Sequence, residues 1–318
     1  MTRNSAADRS TAAVTVGPRI GVVTVLYNSA RVLPDFLESL WSQTLSDFRL
    51  YAVDNASADE SLALMATEGE GGRIRVIANI DNLGVAEGNN QGIRAALSDG
   101  CPYILLLNND TVFTPELLEG LIAEMDAANV DMITPKITYH DRPGHVWFGG
   151  GRFLPLAGMM AEHLDEGAPD DGRFDRPGSI AYAPTCCLLV RSTLFTDVGE
   201  MDARYFVYWD DVDFMLRARR AGKVLRYAPR LTLAHKVSAL TGGGQSPFSL
   251  RYDTRNLVYF TRKFFPRAWP AVLLMHACRF TARYIFGRES WSTVPARRAA
   301  WKEGLALPLT TDRASSAL

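Results

Sequence analysis

The sequence predicts an α/β fold, a mostly parallel central sheet flanked by helices, with a helical extension at the C-terminal end. Three observations carry that expectation. Between Arg19 and Asp131 short β-like runs alternate with stretches of helical spacing, the rhythm of repeated βαβ units with right-handed crossovers. The run YILLL at Tyr103–Leu107 is apolar without alternation, so it suits a strand buried on both faces. That run then stops abruptly at Asn108, Asn109 and Asp110, at the carboxyl end of a strand, where open α/β sheets bind ligands.

In chain order, residues 1–18 are small and polar, lack the apolar core of a secretory signal, and read as a disordered leader. RIGVVTVLY is the first strand. Val32, Leu33, Phe36, Leu37, Leu40 and Trp41 then recur at helical spacing, and FRLYAVD returns to strand. Two further units pair IRVIAN with a helix from Val85 to Leu97, and YILLL with a helix from Pro115 to Met125. From Ile137 to Pro177 the chain is rich in Gly, Pro, Asp and aromatics, which predicts a hairpin and mobile loops, an insertion suited to shaping a pocket or lid. IAYAPTCCLLVRS reads as a buried strand, DVDFMLRARRAG as a helix ended by Gly222, and VLRYAPRLTLAHKV as further strand. These readings divide the chain into a leader at 1–18, a main domain at 19–245 with halves 19–131 and 132–245, and a basic helical extension at 246–318.

Lys and Arg number 34 against 35 Asp and Glu, so no global field points to nucleic acid or to an acidic polymer. Cys101, Cys186, Cys187 and Cys278 form no CxxC pair, which suits a reduced cytoplasmic chain. WPAVLLMHACRFTARYIF comes nearest to a membrane span, but His276, Arg279 and Arg283 interrupt it, so an amphipathic helix is expected. Arg251, Arg255, Arg262, Lys263, Arg267, Arg279, Arg283 and Arg288 stand among aromatics and leucines. Ordinary helix faces packed on the main domain and peripheral attachment to an anionic membrane surface both fit that pattern.

The polar clusters carry the chemistry. The first two strands end in Tyr27, Asn28 and Ser29, and in Asp54, Asn55 and Ser57. A nucleobase can stack on Tyr27 while Asp54 accepts its ring N–H, although Asn28 and Ser57 also suit helix caps. In NLGVAEGNNQG, Gly84 and Gly88 permit close backbone approach to a ligand, and the amides around Val85 to Glu87 open a helix whose N-terminus favours phosphate. Neither a dinucleotide G-x-G-x-x-G after the first strand nor a P-loop is present. Asp110 can hold a divalent cation completed by diphosphate oxygens and water, with His235 as a further ligand suited to Mn²⁺; a plain turn at NND and a structural His235 are the alternatives. YFVYWDDVDFMLRARRAG is the most informative stretch, because Asp210, Asp211 and Asp213 together exceed what capping one helix requires. Asp213 and Arg217 are spaced as an i,i+4 ion pair, and Trp209 beside Asp210 and Asp211 can desolvate one of them into a general base.

In this order VVTVLYNS, AVDNASADES, NLGVAEGNNQG, LLLNNDT, CLLVRS and YFVYWDDVDFMLRARRAG resemble glycosyltransferase family 2, and are most similar to its bacterial rhamnosyltransferase-like members, over about Arg19 to His235. The resemblance implies a single-domain GT-A, Rossmann-like fold and inverting transfer of a sugar from a nucleoside diphosphate donor. It places Tyr27, Asn28 and Asp54 at the nucleoside, Gly84 and Asn89 along the donor, and Asn108, Asn109 and Asp110 where the family has its D-x-D motif. Asn108 departs from that motif by replacing its first carboxylate. Asp211 would be the catalytic base, with Trp209 and Asp210 on the acceptor side, and Asp110 and His235 would hold Mn²⁺ or Mg²⁺. The halves 19–131 and 132–245 would bind nucleotide and acceptor respectively.

The implied reaction moves L-rhamnose from dTDP-rhamnose to a glycan or lipid-linked glycan in cell-envelope polysaccharide synthesis, in the cytoplasm or peripherally at the inner face of the membrane. A UDP-sugar (galactofuranose, N-acetylglucosamine or glucose) stays open as donor, because Asp54 pairs equally well with N3–H of uracil or thymine. A non-catalytic nucleotide-sugar-binding module is disfavoured by WDDVD, since a binder needs no base. A sugar-1-phosphate nucleotidylyltransferase is disfavoured because LYNSARVLP lacks the Gly-rich loop that class carries after its first strand.

Overall fold

The computed structural model describes residues 17–68, 72–237 and 246–309, so the expected leader lies almost wholly outside it. The chain opens with β1 (Ile20–Leu26), α1 (Leu33–Trp41), β2 (Phe48–Asp54), α2 (Ser61–Glu68), β3 (Ile74–Ala78), α3 (Gly84–Ser98) and β4 (Tyr103–Leu107). These strands pair in parallel in the order β3-β2-β1-β4, with Val22 of β1 beside Leu50 of β2 and Leu105 of β4. All five residues of β4 are buried, as its unalternating run predicts. The glycines of α3 serve this packing. A Cβ on Gly92 would lie 2.3 Å from Val23 Cγ1 and one on Gly88 2.8 Å from Val25, so Gly88 lets the helix approach β1 rather than a ligand.

The second half continues through β5 (Thr111–Phe113), α4 (Leu117–Ala128), β6 (Met132–Tyr139), β7 (Val146–Phe148), β8 (Gly151–Leu154), β9 (Met160–His163), β10 (Gly178–Ile180) and β11 (Cys187–Arg191). It closes with α5 (Leu194–Val198), α6 (Asp210–Arg220), β12 (Leu225–His235), α7 (Pro247–Phe264), α8 (Trp269–Ile285) and α9 (Val294–Ala306). Strand β11 runs antiparallel between β4 and β6, and β12 lies parallel to β6 with a bulge between Ala228 and Thr232. The buried strand expected over IAYAPTCCLLVRS is broken: Ile180 ends β10, the fully formed strand is Cys187–Arg191, and Pro184, which has no N–H for a ladder, stands in the loop between them. The insertion supplies the expected hairpin, β8 against β9.

Two features of this topology position the site. Short β5 pairs antiparallel with the end of β12, Thr111 opposite His235, which brings the end of β4 to the end of β12. Helix α7 packs into the same core as the sheet through Leu257, Tyr259, Phe260 and Phe264. Each such side chain contributes about 1.5–3 kcal/mol by burial, which ties α7 firmly to the strands.

Candidate active site

A cleft of about 1150 Å³ opens over the carboxyl ends of β1, β2 and β4, bounded by the β8–β9 hairpin, the loop before α6 and the start of α7. Tyr27 stands half exposed on it, and Gly84, Asn89, Asn108, Asn109 and Asp110 line it. Asn28 is not among its lining residues. Its Oδ1 accepts from the Ala58 amide at 2.8 Å and its own amide donates to Ser57 Oγ at 3.0 Å, the structural duty its residue type allows. Asp54 is buried just behind the lining, with Oδ2 accepting from the Ser57 amide at 3.1 Å and Oδ1 without a partner. Its neighbour Asn55 reaches the cleft itself, donating to the Gly84 carbonyl at 2.9 Å and accepting from Asn79.

The anion site expected at the start of α3 is already filled. Val85 and Ala86 donate their amides to the Phe206 carbonyl at 2.5 and 3.4 Å, and a Cβ on Gly84, at φ +83°, would lie 2.4 Å from that oxygen. Free N–H groups attract phosphate at a helix start; here Asn82 Oδ1 takes the first, from Gly84 at 2.9 Å, and the loop before α6 takes the next two.

At the end of β4, Asn109 donates to the Val25 carbonyl at 2.7 Å, and Asp110 Oδ1 faces His235 Nε2 at 3.2 Å. The approach is an ion pair by distance without hydrogen-bond alignment: Asp110 Oδ1, Asn109 Oδ1 and His235 Nδ1 are buried with no hydrogen-bond partner. Burial works against charge on His235, but Cys186 and Asp110 outweigh it and raise its pKa. Burial also raises the Cys186 thiol, which stays neutral, so the Asp110 carboxylate is the partner that counts at neutral pH. A carboxylate and an imidazole facing each other, beside an orphaned amide oxygen, fit a Mn²⁺-like ion that displaces the imidazole's extra proton on binding. Among the described residues no group of three or more His, Cys, Asp or Glu is placed to hold an ion, so the fit is to one shared with a ligand's oxygens.

The catalytic-loop candidate is held under strain. Phe206, Tyr208 and Trp209 have φ of 65°, 63° and 69°, a region costing non-glycine residues on the order of 1–3 kcal/mol each. Helix α7 secures it. Buried Asn256 donates to the carbonyls of Tyr205, Val207 and Tyr208 at 2.9, 2.7 and 2.9 Å, and Trp209 Nε1 donates to Asp253 at 2.8 Å.

The strained loop delivers Asp210 and Asp211 to the cleft at the start of α6. Asp211 is anchored twice, accepting from Tyr182 Oη at 2.6 Å and from the Val212 amide at 2.7 Å. Asp210 is buried with Oδ2 unpartnered, and burial, reinforced by the neighbouring Asp211 charge, pushes its pKa up to about 8. Burial raises Asp211 too, but the Tyr182 hydrogen bond opposes the shift. Two adjacent carboxyls do not share two charges cheaply. Asp210 therefore keeps the proton at neutral pH, and Asp211, with two donors, carries the charge. Asp213 plays no part in the cleft: it forms the expected pair with Arg217 at 2.6 Å, fully buried.

Sequence reasoning missed a row of rings joining the two polar centres. Trp147 packs edge-on against His235 at 4.6 Å and against His163 at 4.8 Å, and His163 stacks on Tyr182 at 5.9 Å. Burial lowers the His163 pKa, so this imidazole is neutral beside Asp211. The aromatic-rich insertion was the available signal, but it marked the segment rather than the residues.

The model of the family described as Glycosyl transferase family 2 matches residues 21–199. "Uncharacterized protein y4gI" of Sinorhizobium fredii is 25% identical over 255 residues, which is 77% of this chain but only 27% of that protein. "N-acetylglucosaminyl-diphospho-decaprenol L-rhamnosyltransferase" of Mycobacterium tuberculosis is 27% identical over 245 residues, 70% of this chain and 77% of its own length. Among solved structures, "Mannosyltransferase PcManGT from Pyrobaculum calidifontis in complex with GDP-Man and Mn2+" superposes with a TM-score of 0.55 at 14% identity, over 93% of this chain and 77% of that one. The chain belongs to glycosyl transferase family 2 and has its GT-A fold, a mostly parallel central sheet flanked by helices.

Proposed function

We propose that this cleft transfers a sugar from a nucleoside diphosphate donor to a hydroxyl of a glycan or lipid-linked glycan, with inversion. The observation that carries the reading is the combination, in one cleft, of the Asp110–His235 corner and the Asp211 carboxylate anchored by Tyr182. Asp211 accepts the proton of the acceptor hydroxyl as its oxygen bonds to the anomeric carbon, and the bond to the diphosphate breaks with its electron pair leaving on the nucleotide. Asp110 and His235 would hold a divalent ion, which would neutralise charge on the departing diphosphate. Tyr27 gives the base a stacking face, and the unpartnered Asp54 Oδ1 suits a ring N–H donor. L-rhamnose from dTDP-rhamnose is the proposed donor and cell-envelope polysaccharide synthesis the proposed setting, supported by the name of the mycobacterial relative.

The test is thermal stabilisation by dTDP-, UDP-, GDP- and CMP-sugars with and without Mn²⁺, followed by release of nucleoside diphosphate. Saturation a hundredfold above Kd stabilises the folded state by about 2.7 kcal/mol. A Mn²⁺-dependent shift with dTDP-rhamnose supports the full reading, a shift with UDP-sugars alone discards rhamnose, and no shift with any donor removes the transferase. Asp110→Ala is expected to abolish the Mn²⁺-dependent part of nucleotide binding in a calorimetric titration; an unchanged titration takes the metal away from that corner.

Tyr182→Phe gives a separate check on Asp211. Loss of a hydrogen bond that lowers the Asp211 pKa lets it rise further. A base works when deprotonated, so the acidic limb of the kcat/KM profile moves to higher pH, activity falls at neutral pH, and it recovers in more alkaline buffer. Asp210 beside it on α6, His163 on β9 and the Val212 amide remain in both proteins. A uniform loss at every pH would mean that Tyr182 only shapes the cleft.

A further inference from the structure

The surface of α8 carries a feature that sugar transfer does not use. The helix buries Leu273, His276 and Tyr284 against the rest of the protein. Its other side presents Leu274, Cys278, Thr281 and Ile285 at i, i+4, i+7 and i+11, all exposed and therefore in one row. Leu274 and Ile285 are each 66% exposed, and the row runs on into Phe286 at 77% and Trp291 at 62%, with Trp291 stacked on Tyr284 at 5.2 Å. Single exposed apolar side chains are ordinary, but a continuous row ending in two large rings marks an interaction surface.

The charge of the segment that carries this row names the partner. From residue 265 to 309 there are seven basic residues and two acids, in a chain whose formal net charge is −1. Both acids are already engaged, Glu289 by Arg283 and Arg297 and Glu303 by Arg251. Arg267, Arg288, Arg298 and Lys302 are exposed and have no ion-pair partner among the described residues. Two exposed rings with the unpaired Arg288 between them in the chain, on a segment of net positive charge, are the chemistry that binds the headgroup layer of an anionic bilayer. No described helix is long and apolar enough to cross a membrane, so the contact is one of lying on the surface.

We propose that α8 and the Phe286–Trp291 turn dock this protein on an anionic phospholipid surface. The same helix braces the cleft. A Cβ on Gly158, in the turn between β8 and β9, would lie 2.8 Å from Val272 and 3.1 Å from His276, and Arg279 reaches Met160 Sδ at 3.6 Å. Met160, Ala161 and His163 of β9 line the cleft, and Leu156 on that turn is 95% exposed. Docking therefore places α8 between the surface and the hairpin that walls the cleft. The inference stands on the surface alone and holds whichever donor the cleft takes.

The experiment is co-sedimentation of the full chain with phosphatidylcholine vesicles with and without phosphatidylglycerol, at about 0.1 M and about 1 M salt, where the screening length falls from about 10 Å to about 3 Å. Binding at least tenfold stronger to the anionic vesicles, lost at high salt, is expected. F286S/W291S and R288Q/R298Q are each expected to weaken it about tenfold while melting like the parent protein. Equal binding to neutral vesicles, no binding to either, or full binding by both variants overturns the proposal. So does a dimer in light scattering that F286S/W291S breaks, which would assign the face to a second copy.

Discussion

Asp211→Asn is expected to bind donor nucleotide as the parent protein does and to turn over about 10²–10⁴-fold more slowly, the ordinary worth of a positioned general base. The substitution keeps the shape of the side chain and an oxygen that still accepts from Tyr182 Oη or the Val212 amide, so the loop should hold its place. What it removes is the capacity to take a proton. Asp210→Asn separates the two carboxyls. Asp210 has an unpartnered Oδ2 and a pKa pushed up to about 8, so it is already protonated at neutral pH, and its amide should cost far less. Single-turnover rates on both variants, with nucleotide affinity measured alongside, decide the assignment. A large loss at Asp210→Asn with near-normal turnover at Asp211→Asn would move the base one residue back.

How much of this was legible in the sequence depended on how local the determining physics was. Strands β1, β2 and β4 and helices α1, α3, α4 and α6 follow from apolar periodicity within each segment, and the structure places them close to where the pattern does. The polar residues that end β4 and open α6 were readable for the same reason: they interrupt a pattern. Everything that depends on distant segments meeting was less visible. Asp110 meets His235 only because β5 pairs back onto β12, and no local signal sets that register. Phosphate was expected at Val85–Glu87 because a helix start has free amides; the Phe206 carbonyl, from a loop far along the chain, takes two of them. Trp147, His163 and Tyr182 come from a region without periodicity, where sequence marks loops but not what they touch. Helix α7 read as part of a basic extension, whereas Asn256 in the run NLVYF spends its amide on three carbonyls of the strained loop. A polar residue inside an apolar helix face was the clue to that role.

The largest stability effect is expected at Lys263, whose ammonium joins α7 to the base of α6 and to the turn before it. Its Nζ lies 2.8 Å from Asp202 and 2.7 Å from Asp213, and the three side chains are no more than 5% exposed. Lys263→Met keeps the apolar stem and removes the cation, leaving two buried carboxylates with less than they need. Asp213 retains Arg217 and Tyr205, and Asp202 retains Tyr259 and the partly exposed Arg204, so the loss is partial. Removing one partner of a buried ionic cluster costs about 3–5 kcal/mol, whereas exposed pairs cost about 0–1 kcal/mol. The exposed Arg94–Glu200 pair, at 47% and 36% side-chain exposure, therefore makes the control: Arg94→Gln should hardly move the melting temperature. Lys263→Met should lower it by on the order of 10 °C. The pH dependence gives a second reading. Burial raises the Asp202 carboxyl, yet Lys263 and its hydrogen bonds outweigh that and hold it below its ordinary value. A depressed carboxyl lends stability that is present above the unfolded value of about 3.9 and is lost as pH falls through the lower folded one. Lys263→Met should flatten that acid limb, because a carboxyl without its cation no longer favours the charged form. A melting temperature within a degree or two of the parent, with the acid limb unchanged, would show that the cluster is replaceable and that the grip of α7 on the strained loop comes from its apolar face and from Asp253, Arg255 and Asn256.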